Sequence, residues 1–362
     1  MAIRGPRPES WTRAALEPPR ACGAAPLPKV QIKVEPEDFR VEELLSFTPS
    51  EAGPHWLLRI EKRAANTPWV AAELARIAGL PLADIGYAGL KDRHAIAVQW
   101  FSVPVRAQQP VEFWSKAGSE EFKVLEVRAN ARKLKRGALA GNQFHIRLRR
   151  LVWPPEDLDT RIAALRAHGA PNYFGAQRFG REGFNLDRLA GWVASGREPR
   201  GRAERGFALS AARALIFNAV LARRVQAGNW SRLEEGDLAS LEGSGSYFHV
   251  AAIDDELERR LAAFDIHPSG PLWGRGVPQT SGRALDTELE VAREFGAVAE
   301  LLAMQGLAQE RRALRCRIRD LSVEADGSTL TLSFALGRGQ FATAVLRELC
   351  EFEQPLFEPA AD

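Results

Sequence analysis

Several features are scarce or missing in this chain of 362 residues. It has three cysteines, Cys22, Cys316 and Cys350, far apart and in no CxxC pair. That argues against a disulfide framework or a thiolate zinc site and fits a reducing cytoplasm, the expected location. There is no run of about 18 apolar residues, so no membrane span is expected. The N-terminus lacks the apolar core of a signal peptide. There is no GxSxG elbow, no GxxxxGK phosphate loop and no HExxH, and the six histidines (His55, His94, His145, His168, His249, His267) show no metal-ligand spacing. Chemistry without a metal or cofactor is therefore expected. An overall charge bias is also missing, since the net charge is +3.

What is present is ample material for a core: 45% hydrophobic against 26% charged residues, the balance of a globular protein, in a chain long enough for two domains. Residues 1–28, rich in Pro, Ala and Arg, read as a flexible lead-in outside the catalytic fold. A strand and turn are expected over 30–45, a helix over 68–78 with Thr67 as cap and Gly79 as stop, and a strand over 97–103. Over 143–150, Phe144, Ile146 and Leu148 alternate with His145, Arg147 and Arg149, which predicts a half-buried strand. Helices are expected over 156–168, 211–227 and 341–352. Asp326-Gly327 between two apolar runs signals a hairpin. Strands at both ends around a helical middle predict an α+β fold with a helical insertion rather than a βαβ alternation.

The charge is unevenly distributed. Between Arg128 and Arg150 stand eight Lys or Arg residues and no Asp or Glu. Arg132, Lys133, Lys135 and Arg136 are its densest stretch. Further clusters are Arg197, Arg200, Arg202 and Arg205, and Arg311, Arg312, Arg315, Arg317 and Arg319. A solvated face explains any one such cluster. Three in a near-neutral chain favour an anionic polymer such as RNA, whose phosphates these side chains neutralise.

Gly86-Tyr-Ala-Gly-Leu-Lys-Asp-Arg93 carries a carboxylate, Asp92, between two cations on a glycine-punctuated loop. Neighbouring cations favour an ionised carboxylate, which can act as nucleophile or base. On its own the triplet is ordinary surface charge more often than a site.

These segments resemble a known family. GYAGLKDRHA (86–95), GNQF (141–144), PNYFGAQRFG (171–180), LSAARALIFNAVL (209–221), GQFATAVLREL (339–349) and KVEPEDFRVEE (33–43) are similar to the motifs of the TruD family of pseudouridine synthases, in the same order along nearly the whole chain. The resemblance implies isomerisation of uridine 13 in the D arm of tRNA to pseudouridine, without a cofactor, and carries roles over residue by residue. Asp92 is then the catalytic aspartate and Lys33 its basic partner. Phe39, Asn142, Phe144 and Phe341 line the uridine pocket. From its charge, the basic segment with Arg132, Lys133, Lys135 and Arg136 is expected to meet the RNA backbone. The resemblance further implies a catalytic domain with a mixed, largely antiparallel sheet (29–168 and 318–362) interrupted by a mostly helical domain (169–317), acting as a monomer with tRNA as partner and no metal or membrane. A synthase acting on another RNA site, and a non-catalytic RNA-binding or RNA-folding protein, remain the alternatives.

Overall fold

The computed structural model describes residues 7–22, 27–106, 108–151 and 155–353. They form two compact units. One comprises Leu27–Pro155, Ile318–Gly339 and the described part of Cys350–Asp362; the other comprises the described part of Met1–Pro26, with Glu156–Arg317 and Gln340–Leu349.

The first unit is built on a sheet with the strand order Arg319–Asp326, Thr329–Gly337, Leu139–Leu148, Phe39–Leu45, Ile96–Pro104, His55–Arg63, Phe122–Asn130. Only Phe39–Leu45 and Ile96–Pro104 run parallel. The other pairings are antiparallel, and the short strand Gly86–Tyr87 pairs with Ile96–Pro104. Register then decides the faces. Val41, Phe144 and Phe334 lie opposite one another, as do Glu43, Asn142 and Leu336. Ala97 pairs with Val41 and Lys62, and Gln99 with Ile60. Paired residues share a face. One face therefore carries Phe39, Val41, Glu43, Asn142, Phe144, Gln99, Ile60 and Lys62.

The helix Thr67–Ala78 covers part of this face, burying Val70, Ala71, Leu74 and Ala75 against Leu58, Ile60 and Phe101. Each fully buried aliphatic side chain contributes about 1.5–3 kcal/mol. Gly79 ends the helix in the left-handed conformation at φ 61°. Thr67 is not the cap; Asn66 takes that position, and the Thr67 hydroxyl is used elsewhere, as described below. The alternation over 143–148 is as read from the sequence, with Phe144, Ile146 and Leu148 buried and His145 and Arg147 exposed. The hairpin turns at Gly327, φ 57°.

The second unit differs from the sequence reading in several respects. Residues Glu9–Leu16 form a helix whose Trp11 and Ala15 are buried in this unit's core. Arg7 pairs with Asp187, and the backbone N–H groups of Ala21 and Cys22 donate to Glu348. The described lead-in is thus part of a folded unit, because its apolar side chains recur at helical spacing. The helix Pro155–His168, from Glu156 on, and the segment 340–349 fall in this unit rather than in the sheet unit. The expected helix over 341–352 is only Ala342–Leu346; Glu351–Glu353 instead pairs in parallel with Lys29–Gln31. The long helix is Arg202–Gln226, beginning nine residues before the expected start, because Gly201 rather than Ser210 precedes its first turn. One 18-residue window of it is apolar enough to cross a membrane, but 61% of that window is buried, as in a core helix. Among the described residues a four-stranded antiparallel sheet also belongs here, in the order Tyr247–His249, Leu238–Leu241, Ile266–Leu272, Glu310–Ala313.

Candidate active site

The loop that carries Asp92 is fastened at successive points. Gly86 and Tyr87 are zipped onto Ser102 and Phe101. A Cβ on Gly86 would stand 2.4 Å from both the Leu134 carbonyl oxygen and Ser102 Oγ, so only glycine fits this crossing. Gln99 Nε2 donates to the Gly89 carbonyl at 3.4 Å, and the Lys91 N–H donates to Thr67 Oγ1 at 3.1 Å. Thr67 in turn donates to Gln99 Oε1 at 2.7 Å. Lys62 Nζ donates to the carbonyls of Asp92 (2.8 Å) and Ala65 (2.6 Å). Lys91 Nζ stands 2.8 Å from Glu43 Oε2, both side chains almost wholly buried; the angles leave the Glu43 oxygens short of directed hydrogen bonds.

Held in this way, the Asp92 carboxylate stays 42% exposed while its Oδ2 accepts from Lys33 Nζ at 2.7 Å. Lys33 is only 11% exposed and sits at φ 55°, a strained conformation for a side chain larger than glycine. Its ammonium also lies 4.3 Å from the centre of the Phe39 ring, a cation–π contact. Phe39 meets Phe144 edge-on at 6.1 Å, and Phe144 meets Phe334 at 5.5 Å. Carboxylate, ammonium and aromatic wall are thus one continuous set of contacts within the sheet unit. Asn142 stands on the same face, opposite Glu43, and its Oδ1 is buried with no hydrogen-bond partner among the described residues. Such an orphan costs about 1–3 kcal/mol unless a ligand satisfies it.

Burial pushes Lys62 down to about 8, against the opposing pull of Asp92 and with Lys91 adding to the depression. His94, two residues after Asp92, is also lowered, first by burial and then by Arg93 and Lys33.

Of the sequence-predicted residues, Asp92, Lys33, Phe39 and Phe144 are joined by direct contacts, and Asn142 shares their sheet face. Phe341 belongs to the other unit, where its ring lies 6.5 Å from that of Phe174. Arg132 and Lys135 are exposed, without side-chain partners among the described residues. Lys133 donates to the Ala83 carbonyl, and Arg136 lies over Tyr87.

The cluster at 311–319 is corrected in part, because three of its arginines are interior braces. Arg315 is buried, donating to the Leu261 and Ile266 carbonyls and to His267 Nδ1. Arg311 pairs with Glu288, and Arg312 donates to Asn172 and lies 4.2 Å over Phe174. Arg149 of the first cluster is likewise committed to Asp38 and Glu35. Lys62, Glu43, Thr67 and Gln99 were missed. A signal existed for the first two: each is a charge at an inward position of an alternating strand, after Leu58 and Ile60 or after Phe39 and Val41. Among the described residues no three His, Cys, Asp or Glu side chains gather as a metal site requires.

The fold resembles the crystal structure of a Methanosarcina mazei protein assigned to tRNA pseudouridine synthase D, with a TM-score of 0.71 at 21% identity, covering 96% of this chain and 98% of that one. The family tRNA pseudouridine synthase D (TruD) matches over residues 26–197 and 205–349. The tRNA pseudouridine synthase D of Methylococcus capsulatus is 46% identical over 92% of this chain and 94% of its own length. That of Nitrosococcus oceani is 44% identical over 93% and 95%. An α+β fold carrying this site is therefore that of an RNA-modifying isomerase. The chain belongs to the TruD family of tRNA pseudouridine synthases.

Proposed function

We propose that the chain converts uridine 13 in the D arm of tRNA to pseudouridine, with Asp92 as its catalytic aspartate and Lys33 as the basic partner. The observation that carries this reading is the 2.7 Å contact between Lys33 Nζ and Asp92 Oδ2, at the end of a loop fixed to the sheet and to the helix Thr67–Ala78. The ammonium holds the carboxylate in one orientation while much of it stays open to a substrate.

In the reaction the bond between N1 of uracil and C1′ of ribose breaks, the ring turns, and C5 bonds to C1′. C5 gives up its proton and N1 ends with one, so product and substrate are isomers and no oxidant or reductant is needed. Asp92 can serve by attacking ribose, by adding to the uracil ring, or by taking a sugar proton to give a glycal. The target base must leave its stack, at a cost of a few kcal/mol. Cationic contacts to phosphate from Arg132, Lys133, Lys135 and Arg136 offset that cost. Asn142 offers its amide to the uracil edge, where its buried oxygen would gain a donor. Phe39 and Phe144 form an apolar wall that keeps water from the detached base.

The test is Asp92→Asn, which keeps the size of the side chain. Conversion should vanish while the Kd for unmodified tRNA barely changes. A parallel loss of binding would make Asp92 a binding residue and contradict the assignment.

A further inference from the structure

Beside the Asp92 loop, within the sheet unit, lies an open groove of about 670 Å³ lined by Leu82, Ala83 and Tyr87 and by Lys133, Lys135 and Arg136. Its size suits a small organic group. Its far wall is set by the crossing at Gly86, which brings residues 133–134 against the start of the catalytic loop. Among these residues the Arg136 guanidinium carbon lies 4.3 Å from the centre of the Tyr87 ring, and Arg136 donates to Tyr87 Oη at 2.8 Å. Tyr87 itself stands beside Phe101 across the strand pair, ring centres 5.9 Å apart. Arg136 is nevertheless exposed.

We infer that this groove is a second nucleotide subsite, in which an unpaired base of the RNA beside the target uridine stacks on the Arg136 guanidinium. A guanidinium anchored on a tyrosine by a cation–π contact and a hydrogen bond offers a planar cation to a nucleobase, and RNA readers use arginine planes in this way. The remaining lining fits the rest of a nucleotide. Leu82, half exposed, offers apolar surface to the base edge, while Lys135, exposed and without a side-chain partner among the described residues, faces a phosphate. Tyr87 precedes Asp92 by five residues, so their Cα atoms are at most about 17 Å apart. That distance is within reach of a nucleotide close to the target in the same strand. The site would read an unpaired neighbour rather than the reacting uridine. It would thereby favour a loop or an opened stem over an intact helix. The inference rests on the tRNA reading and adds to it a stacking contact that a purely phosphate-binding surface lacks.

The experiment is a coupling cycle read by equilibrium binding. Unmodified tRNA transcripts carry a single abasic site at each position in turn around the target, and binding is measured for the wild-type enzyme, Arg136→Lys and Arg136→Ala. Arg136→Lys keeps the charge and loses the plane. On intact tRNA it should weaken binding about tenfold, the scale of one base stack. At one flanking position the abasic transcript should bind the wild type about tenfold more weakly and show no further loss with Arg136→Lys. An additive loss at every position, or an Arg136→Lys enzyme that binds like the wild type, would overturn the subsite. Conversion of uridine is measured on the same transcripts. Conversion without coupling removes only the subsite; coupling without conversion removes only the catalytic reading.

Discussion

Lys33 Nζ lies 2.7 Å from Asp92 Oδ2 although the two residues are 59 positions apart, and Lys33 holds a left-handed backbone conformation there. A strained residue persists where its surroundings over-determine it, and such strain gathers at functional sites. Lys33→Met keeps the stem and removes the charge. Loss of one charge-assisted bond of about 1.5–3 kcal/mol should lower kcat/KM by roughly 10- to 100-fold. Steady-state kinetics on tRNA check this, and an unchanged kcat/KM would separate Lys33 from the chemistry.

Glu43 and Lys91 form an almost wholly buried ion pair at the loop. Glu43→Ala leaves the ammonium buried without its partner and should cost about 3–5 kcal/mol in urea unfolding. The double change Glu43→Leu with Lys91→Met removes both charges and should recover most of that loss. A single variant as stable as the double would show that the pair is not coupled.

Lys62 supplies a pH dependence. Its folded value, about 8, lies below its ordinary 10.5. Below pH 8 both folded and unfolded chains carry the proton, and the folded state bears the full cost of the buried charge. Between about 8 and 10.5 the unfolded chain keeps the proton that the folded one releases, so this group makes stability rise with pH. Measured against Lys62→Met, the wild type should gain up to about 3 kcal/mol across that window. A difference that stays flat from pH 7 to 10.5 would contradict the depressed value.

The arginines divide into two kinds. Arg315 braces the interior of its unit, where burial holds it down to about 10. Arg315→Ala should destabilise the fold by about 2–4 kcal/mol and leave the salt dependence of tRNA binding as it was. Arg132→Ala with Lys135→Ala should do the opposite, reducing the salt slope by roughly 0.7–0.9 per residue with little change in stability. Binding titrations from low to high salt, with thermal melts alongside, distinguish the two kinds.

Much of this was legible in the sequence where the information is local. The period-two run around Phe144, the Gly79 stop and the Asp326-Gly327 hairpin each depend on neighbours a few residues away. The resemblance of GYAGLKDRHA and KVEPEDFRVEE pointed to Asp92 and Lys33, which do meet. What was hidden depends on partners distant in sequence. Nothing near Arg315 announces that its guanidinium turns inward to the carbonyls of Leu261 and Ile266. Lys62 looks like a surface lysine until the alternation of Leu58 and Ile60 is continued to it, and one of its two acceptors, the Asp92 carbonyl, is in place only once the loop has closed over the sheet. The helix Glu9–Leu16 was concealed by the prolines on either side of it, and the burial of Trp11 and Ala15 shows where it belongs.

The most direct test of the central claim is position-mapped pseudouridine formation in unmodified tRNA transcripts, by chemical labelling and primer extension, with wild-type enzyme and Asp92→Ala in parallel. A new signal is expected at uridine 13 with the wild type and none with the variant. A signal that persists with Asp92→Ala, or wild-type enzyme that binds tRNA and forms no pseudouridine, would contradict it.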